Sequence, residues 1–334
     1  MVLFPDHSVT TTSAPVDRRT VLTRTVLAVI GMLAFVVFSF LLAGFFSVDN
    51  MITLLNEVAL AGIVAVPATF LMMSGQVDLS VGGAAAFAGV VLAATAPGVG
   101  VLTAALLAAG SGLLIGLGNG LLVTIGRVNS IAATFATMAL LRGLAYLVPG
   151  GSAVALAGSR SLGDTGPFAG IALAALVFGA VALIAGVLSR SALGRRSRAT
   201  GRLPVVDRFD GARERHWMIV LFVVSGASAA LFGLIMAWQL GAGLPAAAVG
   251  LELTVVSAVL LGGGRLAGGA GSVAGTLLVL LVISIVGNGL ALANVNPYVG
   301  PVLSAALLII ALVIDRPRRR SGTRPPGPAR TDSK

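Results

Sequence analysis

Long apolar stretches separated by short polar segments dominate the chain, a pattern that is typical of transmembrane helices. A helix needs about 20 apolar residues to cross the hydrocarbon core of a bilayer. Seven stretches meet or approach this length, over residues 26–46, 52–73, 99–125, 168–188, 217–240, 270–292 and 298–314. Three further candidates are shorter or interrupted by glycine, at residues 79–97, 131–148 and 249–264. The pattern predicts an all-α polytopic membrane protein with about ten transmembrane helices.

Composition excludes two ordinary soluble domains, which the length of 334 residues would allow. Hydrophobic residues make up 57% of the chain, charged residues only 10%, and the mean hydropathy is +1.02, whereas a soluble surface needs far more charge. The chain has 44 glycines and only 5% aromatic residues. Its apolar stretches therefore contain many small residues, which allow the close helix contacts of membrane bundles.

The positive charge of the chain is a topology signal. The net charge is +10, and a strongly basic balance is also a feature of nucleic-acid binders. The arginines, however, cluster beside apolar spans, in residues 18–24, 190–215 and 316–334. Such clusters mark the cytoplasmic side of membrane proteins. We therefore expect a lipid bilayer, and no nucleic acid, as the partner of this chain.

Ten spans put these clusters on one side of the membrane. With a cytoplasmic N-terminus, Arg127, the loop 189–216, Arg265 and the basic C-terminal tail are all cytoplasmic, and Arg160 is external. Seven spans would put the two Arg-rich ends on opposite sides. The prediction is a disordered cytoplasmic tail over 1–25, a membrane domain over 26–316 and a disordered basic cytoplasmic tail over 317–334.

Nothing in the sequence suggests catalysis or a resident cofactor. His7 lies in the N-terminal tail and His216 at a membrane boundary, so the two cannot build a two-His metal site or a catalytic triad, and the chain has no cysteine. The glycine-rich stretch 262–275 lacks the Gly-Lys-Ser/Thr ending of a phosphate-binding loop. We expect no enzymatic activity, no metal and no cofactor in this chain.

Ionisable residues inside apolar spans are costly and mark candidate functional sites. Glu57 and Glu252 either line a polar path near the external face or act as interfacial caps. Asp78 opens the segment DLSVGG, where a carboxylate accepts backbone N–H groups at a helix start; this structural role is favoured over contact with a ligand. Arg142 lies within a short span and needs a partner or water.

Neutral polar residues in the spans are candidates for binding a hydroxylated solute, with hydrogen bonding between helices as the alternative. They are Asn119, Thr134, Thr137 and Asn288. A weak internal similarity also exists, because residues 71–83 can be laid over residues 259–271, each a span that ends in a glycine-rich turn. Such repeats are common in transporters, and chance glycine richness is the alternative.

Several segments resemble, in the same order, the motifs of one transporter family. SGQVDLSVGG at 74–83 resembles the Gly-Gly-Ile-Asp-Leu-Ser-Val-Gly signature of the membrane permeases of ABC-type monosaccharide importers, the ribose/xylose/galactose family. Further similar segments lie at residues 119–145, 251–277, 288–300 and 308–316. The resemblance covers roughly residues 50–316.

The resemblance implies a type II ABC importer permease fold in the bacterial cytoplasmic (inner) membrane, with both termini cytoplasmic. It implies a homodimer or a heterodimer with a second permease, ABC ATPase subunits that bind ATP and Mg²⁺, and an extracytoplasmic sugar-binding protein. The candidate residues of the translocation path are Asp78, Ser80, Asn119, Thr134, Glu252 and Asn288.

The family's main cytoplasmic loop, which contacts the ATPase, is the least similar part. Laid over residues 193–217, it predicts ATPase docking at the positions that fit, namely Gly194, Arg195, Ala199, Gly201 and Gly211. Leu203 stands where the family has Asn, and Val206-Asp207 stands where it has Ala-Ala. These departures leave open a permease-like protein with altered ATPase coupling. A stand-alone secondary transporter or channel for a small polar solute is the other alternative.

Overall fold

The computed structural model describes residues 18–156, 167–204, 207–209, 211–296 and 299–315. The helices are α1 (Arg18–Leu41), α2 (Val48–Met73), α3 (Val81–Val99), α4 (Val101–Thr124), α5 (Ser130–Leu147), α6 (Pro167–Arg190), α7 (Ala192–Arg202), α8 (Ala212–Leu240), α9 (Leu251–Leu261), α10 (Val273–Leu292) and α11 (Val299–Ile314). A 3-10 turn, Asp207–Phe209, precedes α8, and two short strands, β1 (Val154–Ala155) and β2 (Ala242–Gly243), form an antiparallel pair.

Ten of these helices coincide with the ten predicted spans. Seven of the described helices are long and apolar enough to cross a membrane, and the bent pair α6–α7 adds an eighth if it is counted as one span. Helix α9 has only 11 residues, which is about 16 Å of helix and about half of a hydrocarbon core. The prediction of an all-α membrane protein with about ten helices is confirmed, but α9 is too short to cross.

The observed bounds differ from the predicted ones at α1 and α7. Helix α1 begins at Arg18 rather than near residue 26, because arginine and leucine are both good helix formers, whatever their hydropathy. Helix α7 lies within the predicted loop 189–216. Residues 1–17 of the predicted N-terminal tail, the whole predicted C-terminal tail (317–334) and Arg160, which the sequence predicts to be external, lie outside the described residues.

The two ends of the bundle differ in structure. The end that we call the α7 end carries α7, the C-terminus of α2 and the glycine-rich turn 262–272, and there the Gly269 N–H donates to the Met73 carbonyl at 2.7 Å. The opposite end, the hairpin end, carries β1 and β2, where Val154 pairs with Gly243.

Two non-helical segments enter the bundle from opposite ends. Residues 74–80 lead from the α7 end to the start of α3, and residues 241–250 lead from the hairpin end to the start of α9. The two helix starts meet, because Gly82 packs against Ala248 and Glu252. Since α9 spans about half a membrane and ends at the α7 end, both helix starts lie near the middle of the bilayer.

Glycine allows α4 and α8 to approach at backbone distance. A methyl group on Gly116 would touch the Phe222 carbonyl oxygen and lie 2.7 Å from Val223 Cα, and a methyl group on Gly226 would lie 2.8 Å from Gly116 N. Neither position has room for a side chain. Such backbone contact is typical of small-residue interfaces between membrane helices, and it sets the spacing of the side chains that α4 and α8 extend toward α3.

We expect Gly116→Ala to lower the free energy of unfolding by about 1–3 kcal/mol, because the added methyl group forces α4 and α8 apart. Gly118→Ala is the matched control on the same helix, since no atom lies within 4 Å of a methyl group there. Replacing a helical glycine at such an open site stabilises by about 0.5–1 kcal/mol. Unfolding of both variants in detergent measures the difference, and equal stabilities would contradict the close contact of α4 and α8.

Candidate functional site

Asp78 fixes the turn that leads into α3. Its Oδ1 accepts hydrogen bonds from the Ser80 backbone N–H at 2.9 Å and from the Ser80 hydroxyl at 2.6 Å. Its Oδ2 accepts from the Ser225 hydroxyl of α8 at 2.7 Å. Only 5% of Asp78 is exposed. A short carboxylate that binds the backbone two residues ahead holds a turn in one conformation, and Asp78 holds the turn just before α3 in this way.

Asn119 and Thr137 extend this network into α4 and α5. The Asn119 side-chain amide donates to the Ser80 hydroxyl oxygen at 2.9 Å, and the Thr137 hydroxyl donates to Asn119 Oδ1 at 2.7 Å. Ser80 and Asn119 are buried. Because these buried polar groups bind one another, their hydrogen bonds offset the cost of removing them from water, and the network ties α3, α4, α5 and α8 together.

Two hydroxyl groups of α5 bind the backbone of the same non-helical segment. The Leu79 N–H donates to Thr134 Oγ1 at 2.9 Å, and the Val77 N–H donates to Ser130 Oγ at 3.3 Å. Non-helical backbone at membrane depth needs protein partners, since hydrocarbon offers none. Thr134 and Ser130 therefore allow residues 74–80 to remain extended inside the bundle.

Four of the six predicted path residues thus meet in one buried network, which we call the Asp78 network. They are Asp78, Ser80, Asn119 and Thr134. In this conformation their polar atoms bind protein groups and are closed off from solvent. The network consequently positions the start of α3 and does not line an open channel.

Asn288 is not part of this network. Asn288 and Asn50 exchange two side-chain amide hydrogen bonds, each 2.9 Å long, which join α10 to α2. The Asn50 amide also donates to the Phe45 carbonyl at 2.8 Å. Both asparagines are buried, and hydrogen bonding between helices accounts for Asn288.

Glu252 lies at the start of α9, where it packs against Gly82 of α3. Its Oε2 is buried and has no hydrogen-bond partner within the part of the chain that the structure describes. Arg142 of α5 interacts electrostatically with Glu252. Glu57, the other acidic candidate, is exposed on α2 and does not reach this site.

Arg142 binds the backbone of the second non-helical segment. Its Nη1 donates to the carbonyl oxygens of Pro245 at 3.2 Å and Ala247 at 2.5 Å, and its Nη2 donates to that of Ala248 at 3.4 Å. The sequence requires a partner for this arginine inside a span, and these three carbonyl groups are its partners. Arg142 therefore provides hydrogen-bond partners for the backbone of residues 241–250, as Thr134 does for the backbone of residues 74–80.

Helix α7 presents two different faces. Arg195 and Ala199, one turn apart, are exposed on its outer face, whereas Gly194 and Gly201 are buried against the rest of the chain. Gly211 is half-buried and immediately precedes α8. Two of the five predicted docking residues therefore face outward, and the two buried glycines instead allow α7 to pack closely.

An aromatic contact and a backbone hydrogen bond hold α7 on α8. The Arg196 guanidinium lies over the Trp217 ring, 5.3 Å from its centroid, and Arg196 Nη2 donates to the Arg213 carbonyl at 2.7 Å. A cation above an indole face is a favourable electrostatic contact. Arg196 thereby fixes the orientation of α7. In the sequence, Arg196 was only one member of a basic cluster.

Arg208 is a residue of this end of the molecule that the sequence did not single out. It is only 6% exposed. Its guanidinium donates to the carbonyl oxygens of Gly201 at 2.9 Å, Ala267 at 2.6 Å, Leu203 at 3.1 Å and Gly75 at 3.4 Å. Burial lowers the pKa of Arg208 below its ordinary value, because removal from water disfavours the charged form, but a guanidinium remains protonated in proteins.

A separate cavity of about 650 Å³ lies between α2, α3, α4 and α8, and apolar side chains such as Leu60, Leu92 and Leu234 form most of its wall. None of the predicted path residues lines it. Within the described ranges, no group of three or more His, Cys, Asp or Glu side chains is arranged to hold a metal ion.

Comparisons with known proteins give matches over most of the chain. The family model described as "Branched-chain amino acid transport system / permease component" matches residues 50–312. The probable ABC transporter permease protein YphD of Escherichia coli (strain K12) is 36% identical over 290 residues, which are 86% of this chain and 87% of YphD.

Two sugar permeases of the same strain are also similar. The ribose import permease protein RbsC is 32% identical over 306 residues, which are 89% of this chain and 94% of RbsC. The L-arabinose transport system permease protein AraH is 32% identical over 304 residues, which are 87% of this chain and 91% of AraH. No solved structure gives a significant match.

We expect Asp78→Ala to lower the free energy of unfolding by at least about 3 kcal/mol, because three buried donors lose their acceptor. Asp78→Asn keeps one acceptor oxygen, so its loss is expected to be smaller. The control is Asp49→Ala in the exposed first turn of α2, where the loss of a helix-dipole contact costs about 1 kcal/mol or less. Unfolding in detergent tests this order, and equal losses for Asp78→Ala and Asp49→Ala would refute it.

Proposed function

Because the chain belongs to the family of branched-chain amino acid transport system permease components, we propose that it is the membrane permease subunit of an ATP-binding-cassette importer for a monosaccharide or a similar hydroxylated solute. The observation that carries the proposal is the 32% identity, over most of both chains, to permeases for ribose and for L-arabinose. The resemblance of the sequence to sugar-importer permeases is confirmed, as is its multi-pass membrane character.

In this proposal the α7 end faces the cytoplasm of a bacterium and the hairpin end faces outward. The exposed and half-buried arginines of α7, together with Arg208 and Arg265, give the α7 end a positive charge, and positive loops remain on the cytoplasmic side of the inner membrane. Both chain termini are then cytoplasmic. An extracytoplasmic sugar-binding protein delivers the solute to the hairpin end.

We assign the translocation path to the region where the starts of α3 and α9 meet. Transporters commonly place such half-helix N-termini at solute sites near the bilayer midplane. Glu252 supports the assignment, because its buried Oε2 has no hydrogen-bond partner among the described residues. That oxygen can accept a hydrogen bond from a sugar hydroxyl group once α3 moves away and Gly82 no longer covers it.

The Asp78 network supports this path indirectly. Ser80, Asn119 and Thr134 hold the start of α3 in place, so a change in their hydrogen bonds moves the helix that covers Glu252. Asn288 is bound to Asn50, and we leave it out of the path.

Helix α7 is the proposed docking surface for an ABC ATPase subunit. Arg195 and Ala199 form its exposed face, while Gly194 and Gly201 keep it close to the bundle. The ATPase subunits bind ATP and Mg²⁺, and this chain contributes the path without an ATPase site. Two permease subunits, identical or different, complete the transporter.

The first test asks whether uptake depends on an ATPase subunit. Membrane vesicles that contain this chain, an ABC ATPase subunit that binds it and a sugar-binding protein are expected to take up labelled ribose or L-arabinose when ATP is supplied. Omitting the ATPase subunit is expected to abolish uptake, because the chain then has no energy source. Uptake that persists without the ATPase, driven by an ion gradient, would instead establish a stand-alone secondary transporter or channel.

A second test concerns the docking surface. Ala199→Glu is expected to reduce co-purification of the ATPase subunit at least tenfold, because it puts a carboxylate at the centre of the proposed contact. The new carboxylate lies one turn from Arg195, so it does not disturb the helix itself. Ala212→Glu is the matched control, since Ala212 is exposed in the first turn of α8, where an acidic residue is favourable. Equal co-purification of both variants would exclude this face of α7 as the docking surface.

A further inference from the structure

Three segments of the chain that are distant in sequence meet at Arg208. Gly201 and Leu203 lie at the end of α7, Gly75 belongs to the segment that leads to α3, and Ala267 belongs to the glycine-rich turn after α9. One guanidinium donates hydrogen bonds to the carbonyl oxygens of all three segments. The buried side chain of Arg208 is thus shared by the docking helix and by the chain on both sides of the proposed path.

Backbone contacts bring the same three segments together without intervening side chains. A methyl group on Gly201 would touch Met73 O and Gly269 N, and a methyl group on Gly268 would lie 2.7 Å from Gly75 N and 3.0 Å from Gly201 Cα. Gly75 and Gly268 also have positive φ angles of 77° and 86°, which favour glycine. We call this contact of Gly75, Gly201 and Gly268 the glycine junction.

A buried guanidinium resists the separation of its acceptors. Taking a charge out of water is expensive, and the expense is offset only while its N–H groups have partners. If α7 moved away from residues 74–80 or from the turn 262–272, Arg208, which is only 6% exposed, would lose acceptors that water reaches poorly. Movement of the three segments as one body avoids that loss.

We propose that Arg208 is a positioning residue that couples α7 to both non-helical segments, so that a displacement of α7 by the ATPase moves the starts of α3 and α9. The inference rests on the proposed function, because it takes α7 as the docking helix. Residues 74–80 transmit the displacement to the Asp78 network, and the turn 262–272 transmits it to α9 and so to Glu252.

Arg24 provides a contrast within the same turn. Its Nε and Nη2 both donate to the Gly262 carbonyl, at 3.0 and 2.6 Å, and so join α1 to the C-terminus of α9. A cation at this position is favourable for the helix dipole. Arg24 reaches the glycine-rich turn but makes no bond to α7, so it stabilises the turn without coupling it to the docking helix.

The test compares variants in the complete transporter, reconstituted with its ATPase subunits and with the sugar-binding protein carrying the sugar that the wild type imports. The measured quantity is the number of sugar molecules imported per ATP hydrolysed. We expect Arg208→Gln to bind the ATPase subunits as the wild type does but to lower this ratio at least tenfold. Arg208→Lys keeps the charge but has fewer donors, and its ratio is expected to lie between those of the wild type and Arg208→Gln.

Two controls separate coupling from stability. Arg213→Gln removes one charge from the exposed start of α8 and is expected to keep the wild-type ratio. Arg24→Gln is expected to lower the melting temperature but to reduce the ratio far less than Arg208→Gln does, because it leaves the link to α7 intact. A wild-type ratio for assembled Arg208→Gln would overturn the proposal. Failure of the wild type to import sugar with ATP would instead overturn the proposed function.

Hydrogen–deuterium exchange of the wild-type complex covers the case in which Arg208→Gln does not assemble. With ATP and vanadate added, peptides covering 74–80, 197–204 and 262–270 are expected to change their exchange together, because they move as one body. A change in 197–204 with none in the other two peptides would overturn the role of Arg208.

Discussion

The structure depends on one constraint, which is that every backbone N–H and C=O group inside the bilayer must find a partner in the protein. Regular helices meet this requirement by themselves, and the two non-helical segments do not. In residues 74–80 the backbone binds Asp78, Ser130 and Thr134, and in residues 241–250 it binds Arg142. Arg24 and Arg208 serve the glycine-rich turn in the same way. Asp78, Thr134 and Arg142, three of the polar side chains that suggest chemistry in the sequence, are therefore occupied in supporting backbone that is not helical.

Glu252 differs from these side chains, because its polar atoms are not all matched to protein groups among the described residues. Asp78, Asn119 and Asn288 have their polar atoms matched to protein groups, so each is explained by the fold alone. Glu252 Oε2 lacks a partner in the described part of the chain, and Arg142, the cation beside it, is engaged with carbonyl groups. A buried oxygen without a partner lowers the stability of the fold. In a binding site for a hydroxylated solute, the same oxygen is an acceptor that is free to bind a hydroxyl group of the solute.

The sequence predicted much of the helical architecture and little of its contacts. Helix α5 begins and ends within one residue of the predicted 131–148, because Asn129 caps its start by accepting from the N–H groups of Ile131 and Ala132 and that signal is local. Helix α7 was missed because hydropathy treats a basic segment as a loop, even though Gly194, Ser197 and Gly201 recur at helical spacing on its buried face.

In the candidate site, too, local contacts could be predicted from the sequence and long-range contacts could not. The link between Asp78 and Ser80 spans two residues and could be inferred, whereas the pairing of Asn50 with Asn288 depends on how α2 meets α10 and has no local signature. Arg208 was one cation among 22 lysines and arginines, and no pattern in the sequence distinguishes a buried arginine from a solvated one.

The glycine junction has a consequence for how this gene can change over generations. Gly268 lies against both Gly75 and Gly201 through backbone atoms, so a larger residue at any of the three pushes on two segments encoded far away. Compensation would need backbone shifts in both neighbours at once, which single-nucleotide steps rarely supply. The three positions are therefore expected to change together. Lineages that alter one of these glycines are expected to carry accompanying substitutions around the other two.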